Sequence, residues 1–197
     1  SMIFDFTISN IQTIIGKIED IESKDIVISK ENEFTEEYNE LWKINDKNKA
    51  RIERSLEYLN WRYKERPDKE YTIWTARRNN KLVAYLVTTI SYTSGLKEGQ
   101  IVDFQYTNIE DYFALLKNSM KCFLYDEKCN FISTWAFTEE DLFRKLSKLG
   151  FVSKSDFPVK YFITARQFLI KILDKSISEN IEKIESWSLR ASDKDIY

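Results

Sequence analysis

The sequence predicts an α/β fold: a mixed, mainly antiparallel sheet with helices on both faces, preceded by a short N-terminal helical extension. Three observations predict it. Ile109, Tyr112, Phe113, Leu116, Met120, Phe123 and Leu124 recur at helical spacing, the cleanest apolar stripe in the chain. Between Tyr71 and Tyr106 the period changes to two, with turn residues at 78–81 and glycines at 95 and 99, the pattern of a three-strand meander. Beyond it, short β-branched runs alternate with helical ones, so the sheet is mixed and covered on both faces.

Taken in order, Ile8, Ile11, Ile15 and Ile18 lie at helical spacing behind Ser9-x-x-Gln12, which has the form of a capping box. Residues 1–24 are therefore assigned to the extension, and 25–197 to the domain. Asp25–Ser29 is a short β-branched run, the expected first strand. Thr35 is the expected cap of a helix carrying Tyr38, Leu41 and Trp42, and a second helix runs through Ile52, Leu56, Leu59 and Tyr63. It stops near Arg66 because Pro67 disfavours a helical residue before it. Tyr71–Ala76 and Leu82–Ile90 form a hairpin, and Gln100–Tyr106 is its third strand. After the long helix come a strand at Phe131–Phe137, a helix from Thr138 through Leu149 closed by Gly150 and Phe151, and a strand at Tyr161–Ala165. A short helix near Ile181 and Ile184 and a last strand at Ser186–Arg190 complete the expectation.

Composition removes whole classes of chemistry. The 197 residues include no histidine, so Ser-His-Asp and Cys-His triads are excluded, and so are histidine-ligated metal sites. Any acid or base is then Asp, Glu, Tyr, Lys or Cys, or a held water. Average usage of about 7% would supply roughly 14 glycines; this chain has 4, which leaves little material for a phosphate-cradling loop. With 30 basic against 32 acidic residues there is no basic excess to hold nucleic acid, and Arg77 and Arg78 read as solvated turn charges. Cys122 and Cys129, seven apart, fit neither a redox pair nor a structural zinc pattern, and are expected as reduced thiols in a cytoplasmic protein. No apolar run approaches the roughly 20 residues of a membrane span, and no signal peptide is visible. Ser1 before Met2 reads as an expression scar, so a preceding domain of a longer chain is an expected partner.

The element order resembles the GNAT fold of acyl-CoA N-acyltransferases. Three stretches carry the resemblance over about Asp25–Tyr197. LEYLNWRYKERPDKEY, from Leu56 to Tyr71, resembles the YLNWRY…P…Y segment of a bacterial GNAT-like subgroup found among polysaccharide-related genes. Lys148-Leu149-Gly150-Phe151 is similar to the KLGF ending of the fourth GNAT helix, and Trp187–Asp195 (WSLRASDKD) is similar to the subgroup's W-x-L…D-x-D tail. The resemblance implies transfer of an acyl group from acetyl-CoA or another acyl-CoA to an amine, on a small molecule or on a sugar of a cell-surface polysaccharide precursor. It places the CoA-binding turn at Phe104, Gln105, Tyr106 and Asn108. Two departures stand out. The family's turn is glycine-rich, whereas Gln105–Asp111 contains no glycine, and Glu110 and Asp111 occupy the helix end that would attract a pyrophosphate. The family's usual tyrosine acid is replaced by Leu146.

Candidate site residues follow from side-chain chemistry. Asp103, a carboxylate inside the apolar strand IVDF, is the candidate base for an amine, and Tyr161 the candidate acid. Trp61, Arg62 and Tyr63 are candidates to line a substrate cleft, with Arg62 as a fork for an anion. Ser133, with Thr134, has hydroxyls that could hold a water or an amide. Asp193 and Asp195 point the same way on an extended segment and are candidates for an amino substrate. A second reading stays open beside the enzyme: a GNAT-fold module that binds a partner domain or a carbohydrate and does not use CoA.

Overall fold

The computed structural model describes residues 4–8, 25–44, 51–66, 69–93, 95–136 and 141–153. The elements are β1 (Phe4–Ile8), β2 (Val27–Glu31), α1 (Glu37–Lys43), α2 (Leu56–Tyr63), β3 (Tyr71–Arg78), β4 (Lys81–Thr93), β5 (Leu96–Tyr106), α3 (Ile109–Lys121), β6 (Phe131–Ala136), α4 (Asp141–Leu149) and β7 (Phe151–Ser153). The strands form one sheet in the order β2-β3-β4-β5-β6-β1-β7. Every junction is antiparallel except β5 with β6. The predicted class, mixed and mainly antiparallel with helices on both faces, is the one observed.

Period-two alternation sorts the strands into two cores. Trp74, Ala76, Ala84, Leu86, Ile101 and Phe104 pack beneath α3 and α4. Ile73, Leu82, Tyr85, Val87 and Val102 pack beneath α1 and α2, against Phe34, Tyr38, Leu41, Leu59 and Tyr63. The β3–β4 turn needs positive φ at both central residues, and asparagine tolerates it: Asn79 and Asn80 have φ of 51° and 62°. At the second hairpin, glycine takes the same region, with Gly95 at φ 80°.

Several local expectations shift. Residues 4–8, assigned to the extension, form a strand inside the sheet, antiparallel to both β6 and β7; their alternating FDFTI pattern suits a strand. The expected helix at Ser9–Glu22 lies outside the described residues, as do the elements expected after Ser153. Thr35 makes no cap bond; its backbone carbonyl accepts from Tyr38 N–H (3.1 Å), and Glu36 takes the N-cap position. Ser55 caps α2 by accepting from Tyr58 N–H, so that helix begins at Leu56 and leaves Ile52 outside it. Gly150, at φ 101°, closes α4 as predicted, and Phe151 enters β7. Arg77 and Arg78 are not free turn charges. Arg77 bridges Glu31 and Glu37, tying β3 to β2 and α1, and Arg78 reaches Asp111 on α3.

The long helix does not end at Lys121 but continues as one π-helical turn, Cys122–Asp126, in which Glu127 N–H donates to the Cys122 carbonyl (3.0 Å). That turn lays the Phe123 ring on Gly99 of β5, where an added Cβ would lie 2.7 Å from the ring. Gly99 is thus required for close approach. Gly99→Ala is expected to destabilise the fold by about 1–3 kcal/mol, the usual cost of overpacking a rigid site, as read from denaturant midpoints. Burial pushes the Cys129 thiol up to about 11 and raises Cys122 less, with Lys30 opposing the shift at Cys122. Alkylation at pH 8 followed by peptide mapping is expected to label Cys122 first, and Cys129 only after unfolding.

Candidate functional site: a fork between two parallel strands

The site is built around β5. Its register with β4 pairs Val87 with Asp103 and Thr88 with Ile101, so Val102 is an extra residue, a β-bulge. The bulge places Val102 and Asp103 toward the same face, beneath α2. On its other edge β5 pairs with β6 only over Glu98–Phe131, Gly99–Ile132 and Gln100–Ser133. Both strands run on, to Tyr106 and Ala136, without further ladder pairing to each other. β6 pairs instead with β1 on its far side, through Ala136. The two parallel strands therefore form a fork whose vertex is Gln100 and Ser133.

On the α1–α2 face the fork carries a buried polar network. Asp103 is fully buried. Its Oδ2 accepts from Arg54 Nε (2.9 Å) and from the Tyr63 hydroxyl (2.7 Å), and its Oδ1 from Phe104 N–H (2.9 Å). Arg54, 3% exposed, also donates to the Ile52 carbonyl (2.7 Å). These three hydrogen bonds fasten α2 to the bulge through Asp103, so its carboxylate acts in the fold as an anchor. Closer to the vertex, Glu98 is buried and accepts from Ser91 on β4 (3.1 Å) and from Ser133 on β6.

The other candidates separate. Tyr63 joins the Asp103 network, Arg62 is buried, and Trp61 points outward at 55% exposure beside Tyr58. Helical geometry explains this, since three consecutive residues diverge by about 100° each. Phe104 and Tyr106 stack parallel at 6.2 Å on the α3 face, both against Tyr112, whereas Gln105 is buried on the opposite face. Asn108, which is exposed, caps α3 by accepting from Glu110 N–H (3.0 Å). Asp111 is buried in an ion pair with Arg78 (2.9 Å), and Glu110 meets Lys145 (3.4 Å). The amino end of α3 is thus occupied by its own side chains. Leu146, on the inner side of α4, is fully buried. Tyr161, Asp193 and Asp195 lie outside the described residues.

Sequence reasoning missed Arg54 and Glu98. Arg54 stands just ahead of the Ser55 cap, where helical periodicity does not apply. Glu98 carries a usable signal: it faces Ser91 across the hairpin and has Gly99 beside it. On Thr134, by contrast, the structure adds a fact to the sequence reading, since its Oγ1 is buried without a hydrogen-bond partner.

Breaking the buried pair is expected to be costly. Asp103→Asn leaves the Arg54 charge without its counter-ion, and should cost about 3 kcal/mol, or roughly 6–12 °C in Tm. Tyr63→Phe should cost about 1 kcal/mol. Calorimetric melting of the two variants tests the ranking.

No protein-family model matches the sequence, and no curated protein does. Among solved structures, a GCN5-related N-acetyltransferase from Anabaena variabilis is similar over 78% of this chain and 38% of its own, at 10% identity and a TM-score of 0.58. A conserved protein from Enterococcus faecalis, described as a probable N-acyltransferase, is similar over 78% and 38%, at 14% identity and a TM-score of 0.51. The chain thus spans well under half the length of either. At such identities the likeness is one of fold, and the fold is GNAT-like.

Proposed function

We propose that the domain transfers an acyl group from an acyl-CoA thioester to an amine, with the acyl donor seated in the β5–β6 fork. The observation that carries this reading is the fork: a parallel ladder that stops after three pairs while both strands continue. Two parallel strands that stop pairing with each other offer backbone edges to an extended, amide-bearing arm, which hydrogen-bonds as a strand does. When bound, the donor supplies an activated carbonyl, so that a C–N bond forms, the C–S bond breaks and the amine's proton is finally carried by the released thiol.

The chain's own residues divide the remaining work. Glu98 replaces Asp103 as the carboxylate assigned to the amine's proton, reached through Ser133, whose hydroxyl donates to it. Tyr161 in this reading supplies the proton to the departing sulfur, and Asp193 and Asp195 orient the acceptor's amino group. The acceptor proposed is a carbohydrate amine, on the strength of the YLNWRY…P…Y resemblance. The pyrophosphate end fits less well: Glu110 and Asp111 at the amino end of α3 oppose a second anion there. That observation favours a second reading, a GNAT-fold module that binds a partner or a carbohydrate without CoA.

Calorimetric titration of the protein with CoA and acetyl-CoA separates the two. The acyltransferase reading expects saturable binding, and Glu98→Gln is expected to lower turnover at least tenfold with affinity retained. No binding at millimolar ligand would leave only the second reading.

A further inference from the structure

The Thr134 hydroxyl has no use inside the fold. Its side chain is 1% exposed, and its Oγ1 has no hydrogen-bond partner among the described residues. A hydroxyl buried in this way is normally satisfied, because leaving it unpaired forfeits the hydrogen bonds it had with water. Valine has nearly the same shape and carries no such penalty, so the polar atom at this position calls for a ligand outside the chain.

Its place in the sheet says which ligand. Ser133 is the last β6 residue paired to β5, and Thr134 is the next. It therefore stands at the first position where β6 has parted from β5, while its other edge remains in register with Phe6 of β1. Alternation sets it on the same face as Ile132, which belongs to the core under α3. Beyond this point the two strands form no further ladder pairs with each other, so the vertex is the closed end of the fork. Only the slender terminus of a donor, its acyl thioester, reaches so far in; a nucleotide does not.

We propose that the Thr134 hydroxyl donates a hydrogen bond to the carbonyl oxygen of the acyl thioester, making Thr134 a donor-binding residue at the vertex of the fork. The proposal rests on the acyl-donor reading given above. A hydroxyl offers one proton, and a carbonyl oxygen is its natural acceptor in a dry site. As an amine attacks, negative charge grows on that oxygen, and the same hydrogen bond strengthens.

The test uses the difference between two ligands, since acetyl-CoA has the carbonyl and CoA lacks it. Thr134→Val is expected to weaken acetyl-CoA binding about 3- to 10-fold, the size of one net hydrogen bond, and to leave CoA binding within about twofold. Thr134→Ser, which keeps the hydroxyl, is expected to bind acetyl-CoA like the parent. Without ligand, Thr134→Val should melt at the same or a higher temperature, because an orphaned polar atom has been removed. An unchanged acetyl-CoA affinity, an equal loss for both ligands, or a lowered ligand-free Tm would each overturn the assignment. Failure of the parent protein to bind either ligand would be a different outcome, which removes the acyl-donor reading and this assignment with it.

Discussion

The carboxylate of Asp103 holds together the part of the molecule on which the site depends. It sits at a β-bulge, under α2, with Arg54 Nε and the Tyr63 hydroxyl on one oxygen and a backbone N–H on the other. Neither charge of the pair has water to fall back on, so both partners must be present together. A hydrophobic replacement could match such a pair in stability, but it would lack the directional bonds that fix where α2 stands relative to β5. The bulge matters for the same reason. By adding Val102 to one strand only, it lets Asp103 face α2 while Phe104 and Tyr106 still face α3.

From that anchored strand the two faces of the sheet take different tasks. The α3 face is apolar and aromatic, with Phe123 pressed on Gly99 and the Phe104, Tyr106 and Tyr112 rings in contact. The α1–α2 face carries the buried polar groups, Glu98 and Asp103 among them. The fork opens between these faces, beside Ser133 and Thr134. The amino end of α3 behaves otherwise: Asn108, Glu110 and Asp111 satisfy the helix end internally, with Arg78 and Lys145 balancing their charge. The amino end of α3 is therefore filled by its own side chains, whereas β5 and β6 beyond their third pair are not laddered to each other.

Much of the fold was legible in the sequence. The α3 stripe, the Asn79-Asn80 turn and the Gly150 stop appear where the residue pattern puts them, because each rests on interactions between near neighbours. The strand at residues 4–8 escaped because five alternating residues in front of a helical pattern carry little signal, and its partners β6 and β7 lie more than a hundred residues away. Asp103 was found, but its partners were not. A carboxylate in an apolar strand reads equally as a base or as an anchor until its partner is known, and Arg54, 49 residues distant in sequence, is that partner.

By itself the sequence determined the class of fold, the absence of histidine chemistry, and the glycine-free, acidic start of α3. These are matters of composition, period and local charge. Only the tertiary structure decided that β5 and β6 stop pairing after three pairs, that Glu98, two residues short of the vertex, accepts from Ser91 and Ser133, and that the Thr134 hydroxyl has no hydrogen-bond partner among the described residues. Each of those depends on which strands become neighbours. Neighbours in a sheet are set by the burial of both faces at once, a condition no local stretch of sequence contains.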